Sequence, residues 1–166
     1  MAASRQSTML VVGSGITGCI TASMLSRAGA KVTVWDKAGG VGGRMTTHRH
    51  PNDPSSHVDM GAQYITAYSR DEYDGAFQRL KKDTFADLAS NGILSPLVGT
   101  IEGEAGSTRE SGDAHYVSRD GLNSVAKHYL RSAGIAPHTH RTLTQVDSRD
   151  DKALCFTTSG EPNEAP

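Results

Sequence analysis

Cysteine is scarce in this chain. Cys19 and Cys155 are the only two, far apart and in no CxxC pair, so neither a disulfide framework nor a zinc site is expected. Long apolar runs are missing as well. The opening MAASRQSTMLVVGSG carries one early Arg, and glycine breaks its apolar stretch within a few residues. That excludes a signal-peptide core, and no later stretch is long enough to cross a bilayer. Charge of one sign is also lacking: the net charge is −1, with Lys and Arg scattered. No basic face that gathers phosphates is expected, and nucleic acid and membrane are both excluded as expected partners. The simplest location is a reducing, cytoplasmic one, with secretion by a route that needs no signal peptide as the alternative.

Glycine, by contrast, is abundant at 18 of 166 residues, while the hydrophobic fraction is only 36%. A loop-rich chain with room for one core is expected, rather than a helical bundle. Met9 to Val12 is a short apolar run ending at Gly13, as a buried parallel strand would. Thr17 to Arg27 predicts a helix with Ile20, Met24 and Leu25 on one side, stopped by Gly29. Lys31 to Asp36 (KVTVWD) predicts a second strand. Strand, glycine turn, helix and strand within so few residues make the βαβ unit of a doubly wound sheet.

Further on, His48 to His57 is polar with two prolines and predicts a loop. Asp71 to Asn91 predicts a helix with Phe77, Leu80, Phe85 and Leu88 near one face, and Gly99 to Asp113 a polar connection. Gly121 to Ala133 predicts an amphipathic helix carrying Leu122, Val125, Ala126, Tyr129 and Leu130. Arg141 to Val146 and Ala153 to Thr158 predict two strands joined by the charged turn SRDDK.

Chemistry enters with the glycines. Gly13, Gly15 and Gly18 spell G-x-G-x-x-G between a predicted strand and a predicted helix. The first glycine permits the tight turn, the second removes a Cβ that would hold a pyrophosphate away, and the third lets helix and sheet approach. The helix N-terminus then offers free N–H groups to phosphate oxygens. Asp36, 18 residues past Gly18, stands where a carboxylate accepts hydrogen bonds from ribose hydroxyls. The predicted nucleotide contacts are therefore Gly13, Ser14, Gly15, Ile16, Thr17 and Gly18 on the turn, with Asp36 and Lys37 after the second strand.

Directly after Asp36 comes AGGVGGRMTT, Ala38 to Thr47. This resembles the GG-R motif of the flavin amine oxidase superfamily, with Gly42, Gly43 and Arg44 in its places; Gly40 departs from the superfamily, where an arginine would stand. Longer strings resemble the renalase family in order: VWDKA, GGRMTT, DMGAQYIT, KHYLRSAG and TQV followed by RDDK. The resemblance implies an FAD cofactor contacted by Thr17, Gly43, Arg44 and the segment Gln63, Tyr64, Ile65, Thr66 and Ala67. It implies a backbone contact from Leu143 to the adenine. It also implies hydride transfer from a dihydronicotinamide, an NAD(P)H isomer, to flavin N5, followed by reoxidation by O2 to hydrogen peroxide. The flavin does the hard step, so no catalytic side chain is named. Amine oxidation on the same fold is the runner-up. A non-catalytic nucleotide-binding fragment and a nicotinamide-dependent dehydrogenase half-domain are the readings from other classes, the latter disfavoured by GGRMTT.

Other signals have ordinary readings. His48, His50 and His57 with Asp53 and Asp59 could ligate a metal, but with no helical spacing they read as solvated, and no metal is expected. Cys19 sits at a helix N-terminus that could lower its pKa, yet packing against the sheet is the simpler role.

The expected fold is thus α/β: a Rossmann-like FAD-binding domain with a parallel sheet, interrupted by the start of a substrate domain. Residues 1–70 form the FAD-binding βαβ half, 71–115 the start of the substrate segment, and 116–166 the return to the FAD domain. Family members are considerably longer, so a truncated form is expected, monomeric by default.

Overall fold

The computed structural model describes residues 6–68, 75–99, 101, 113–149, 152–157 and 162–164. Strand β1 (Thr8–Val12) runs parallel to β2 (Lys31–Trp35) in the register Thr8 to Lys31 through Val12 to Trp35. Helix α1 (Ile16–Arg27) crosses between them and ends at Ala28 and Gly29, the Ala30 N–H returning to the Leu25 carbonyl. This is the expected βαβ unit.

The buried face of α1 is not the one its large apolar residues suggest. Cys19, Ala22 and Ser23 are buried, whereas Met24 is 65% exposed. Small side chains win because α1 packs closely on α3 (Asn123–Ser132), where Ala126 is also fully buried. Close approach of two helix backbones favours the smallest residues at the crossing, so size outweighs hydropathy there. Cys19, Ala22, Val34, Val41, Ala126 and Leu130 form one core cluster between the helices and β2. A second cluster joins Met45, Leu122 and Val125 to Leu88 and Leu94, at the end of α2 (Gly75–Ser90) and just beyond it. Ile16 and Tyr129 touch both clusters and bind them into one.

Helix α3 buries Val125, Ala126 and Leu130, with Leu122 just ahead of it, as its periodicity predicts. In α2, Leu88 is buried and Phe85 packs against it; residues 71–74, and the side chains of Phe77 and Leu80, lie outside the described residues. So does most of the connection predicted for Gly99 to Asp113.

The polar stretch predicted as a loop is a β-hairpin. Strands β3 (Thr47–His50) and β4 (Asp53–Asp59) pair antiparallel, Thr47 opposite Asp59, with an irregularity between Arg49 and His50. The hairpin is almost wholly exposed, Val58 included at 53%. What it does bury, at Thr47 and in part at Asp59, is polar, so it carries no apolar alternation and the sequence signal for a strand is missing. Beyond it, β5 (Ile65–Ala67), β6 (Ser95–Pro96) and β7 (Ala114–Val117) form a small antiparallel sheet with β7 in the centre.

After α3 the chain returns to the parallel sheet earlier than expected. His138, not a strand from Arg141 onward, pairs with Trp35: the His138 N–H donates to the Val34 carbonyl (2.8 Å) and the Asp36 N–H to the His138 carbonyl (3.0 Å). The two predicted strands then form their own antiparallel sheet, β8 (Leu143–Arg149) and β9 (Lys152–Thr157), with β10 (Pro162–Glu164) on its edge. A single bridge residue leaves no run for a sequence pattern to register.

Candidate dinucleotide site

Three loops meet at the carboxyl ends of β1 and β2. The first is the glycine turn. Gly13 has φ +98°, and its N–H donates to the Trp35 carbonyl at 2.7 Å, fixing the turn against β2. A Cβ on Gly18 would lie 2.0 Å from the Gly13 carbonyl oxygen, so only glycine fits there. Gly15 is different: nothing lies within 4 Å of where its Cβ would be. That open space lies at the start of α1, whose N-cap is Gly15 itself and has no side-chain hydrogen bond. The first-turn N–H groups are thus left to an anionic ligand.

The second loop is the GG-R segment. The Gly42 N–H donates to the Ser14 carbonyl at 3.0 Å, and Gly15 and Gly42 form a parallel bridge. A 3-10 turn at Gly43–Met45 follows, with Arg44 exposed and Met45 buried. The third loop, residues 60–62, packs on the second: the Ala62 N–H donates to the Arg44 carbonyl and the Met60 N–H to that of Thr46. Between Ile16, residues 43–46 and residues 60–62 lies an open cleft of about 720 Å³ with a mostly apolar lining. An open cradle over Gly15, uncapped amides beside it and an adjoining apolar cleft suit a dinucleotide that carries a flat apolar ring system.

Asp36 is only 8% exposed. Its Oδ2 accepts from the Ser14 N–H (2.6 Å) and hydroxyl (2.5 Å), and its Oδ1 from the Ala38 N–H (2.8 Å). Burial would raise this carboxyl, but the Ser14 hydroxyl, the Ala38 and Ser14 amides and the Lys37 charge together hold it below the ordinary carboxylate value. Asp36 therefore latches the glycine turn to β2, and Oδ1 keeps a free lone pair. Cys19 packs beneath, its thiol donating to the Ser14 carbonyl and pushed up to about 11 by burial and the Asp36 charge. The helix terminus does not activate it.

Of the predicted contacts, residues 13–18, Asp36, Gly43 and Arg44 come together at these loops. Thr17, Lys37, Gly43 and Arg44 are exposed, while the Ser14 side chain is buried and turned inward to Asp36. Gln63 lies just past the cleft wall, exposed; Tyr64, Ile65, Thr66 and Ala67 are half-buried, running into β5. Tyr64 sits edge-on to His115, whose Nδ1 lies 3.0 Å from the Thr66 hydroxyl. Leu143 opens β8 opposite Thr157, in a different sheet from β2, the strand that Asp36 follows. Sequence reasoning missed Met60 and Ala62 as cleft walls. The close stacking of Gly61 on the Arg44 carbonyl, 1.9 Å from a would-be Cβ, is the constraint behind that segment. It also missed Arg141, whose N–H donates to the Asp36 carbonyl.

Fold and site together define a dinucleotide-binding, Rossmann-like domain, and residues 11–81 match the family described as NAD(P)-binding Rossmann-like domain. More particularly, the chain is similar to renalase. It is 35% identical to renalase of Mus musculus over 157 residues, 93% of this chain and 43% of that protein. The chain therefore spans less than half the length of that relative. Among solved structures it is similar to a protein of Exiguobacterium sp. 255-15 provisionally described as a protoporphyrinogen oxidase, with TM-score 0.63 and 10% identity. That match covers 97% of this chain and 58% of the other. Tetracycline destructase Tet(51) is similar at TM-score 0.56 and 16% identity, covering 96% and 37%. At such identities the likeness is one of fold. Among the described residues no helix is long and apolar enough to cross a membrane.

Proposed function

We propose that this chain forms the FAD-binding part of an oxidoreductase of the renalase kind, acting on a dihydronicotinamide with O2 as electron acceptor. The observation that carries this reading is the junction of the two motifs, where the Gly42 N–H meets the Ser14 carbonyl and puts the GG-R loop against the open face of Gly15. Residues 15–18 would hold the pyrophosphate on the α1 amides, with Arg44 adding its charge from the opposite loop. Lys37 and the spare lone pair of Asp36 would face the adenosine, with Leu143 as its further backbone contact. Residues 63–67 would border the ring system beyond the cleft. A bound flavin would supply the redox chemistry by which a hydride from the dihydronicotinamide and one proton from solvent reduce O2 to hydrogen peroxide. The protein's part is to bind, orient and shelter. The test is anaerobic mixing of the FAD-loaded protein with dihydronicotinamide isomers, then admission of O2. Bleaching of the flavin band followed by stoichiometric peroxide is expected with at least one isomer. Bleaching by a primary amine and by no dihydronicotinamide would overturn the substrate assignment.

A further inference from the structure

The cleft beside the glycine turn has one wall of a particular chemistry. Met60 lines it together with Ile16, Arg44 and Met45, and at 69% is the most exposed methionine among the described residues. Met45 is buried, and Met24, almost as exposed as Met60, stands on α1 away from the cleft lining. The backbone that carries Met60 is fixed. Its N–H donates to the Thr46 carbonyl (2.9 Å), and Gly61 stacks on the Arg44 carbonyl. Beyond that backbone the side chain is a flexible thioether, open to small reagents.

The function proposed above forms hydrogen peroxide beside this wall, and the inference rests on that reading for its oxidant and for the cleft's occupant. Thiols are common targets of peroxide, but they react as thiolates. Cys19 and Cys155 are both buried, and burial pushes both thiols up, Cys19 to about 11. A thioether needs no deprotonation. Its sulfur lone pair forms an S–O bond as the peroxide O–O bond breaks, and the second oxygen leaves as water with both hydrogens. The sulfur is oxidised by two electrons and the peroxide is reduced by two.

We infer that Met60 is a sulfoxidation site, at which hydrogen peroxide converts the cleft wall to a polar one and drives out a flat apolar ligand. Left in the wall, the sulfoxide sets a strong dipole against an apolar ring; turned out to water, it takes the wall away. Either result lowers affinity for a ring system and spares the glycine turn. The test treats the full chain with hydrogen peroxide, maps it by peptide mass spectrometry, and titrates it with FAD and with ADP before and after. Met60 should gain an oxygen well before Met45. FAD binding should then weaken about tenfold or more, while ADP, which lacks the ring system, should bind as before. Met60→Leu, whatever its own affinity, should show no change on treatment, and Met24→Leu should lose FAD as the parent does. Met60→Gln, polar from the start, should resemble the treated parent. FAD binding unchanged once Met60 is oxidised, an equal loss of ADP, or a loss that Met60→Leu shares overturns the inference and leaves the proposed function standing. A parent that binds no FAD before treatment overturns both.

Discussion

Gly15 and Gly18 stand three residues apart in one motif, and they are glycines for different reasons. At Gly18 a side chain would strike the Gly13 backbone at 2.0 Å, so the constraint belongs to the fold. At Gly15 the space is open, and the backbone, at φ −68° and ψ 172°, suits any residue. Gly18→Ala should therefore cost roughly 1–3 kcal/mol in chemical denaturation, as overpacking does. Gly15→Ala should stay within about 0.5 kcal/mol of the parent. Asp36 shows a second division of labour at this scale. Its folded-state pKa lies below the unfolded value of 3.8, so its stabilisation is complete above that value. It is lost as pH falls through the lower, folded value. Asp36→Asn should remove about 1–3 kcal/mol at neutral pH and flatten the acid limb of the stability profile. Beneath it, a thiol near 11 is protonated at pH 8, so Cys19 should stay unlabelled by a thiol reagent until the chain unfolds. Fast labelling of native Cys19 would contradict the packing described.

Elements differ in how much of them the sequence displays. The βαβ unit and the buried face of α3 are legible because their apolar residues follow the strand and helix periods. In α1 the same logic points to Met24, which is 65% exposed, because contact with α3 selects Cys19, Ala22 and Ser23 for size. The β3–β4 hairpin is illegible for the opposite reason, since what it buries is polar: Thr47 is buried and Asp59 half-buried, while its one apolar residue, Val58, is exposed. Its anchor is polar instead. Asp59 accepts from the Thr47 hydroxyl (2.6 Å) and from the Leu122 N–H (2.9 Å), placing a carboxylate at the start of α3. A negative group there satisfies an orphan amide and complements the helix dipole. Asp59→Ala should cost about 1–2 kcal/mol in thermal or chemical unfolding, and Asp59→Asn less, since it keeps a hydrogen-bond acceptor. Equal losses in both would show that charge, not hydrogen bonding, holds the helix start. The two glycine motifs were legible singly, but their meeting depends on the bridge between Gly15 and Gly42, a tertiary contact with no local signature.

At the scale of the whole molecule, the described residues join a Rossmann-like unit to two three-stranded antiparallel sheets and the β3–β4 hairpin, and the chain spans 43% of mouse renalase. These residues assemble an open glycine cradle with an apolar cleft beside it, and the proposed occupant of both is FAD. That claim is tested most directly by incubating the chain with FAD, passing it through gel filtration, and recording the visible spectrum beside that of Gly15→Val. A structured flavin band on the parent, absent from a Gly15→Val variant that keeps its circular dichroism, is the result predicted. A parent that is folded yet colourless, or a variant that retains as much flavin, would contradict it.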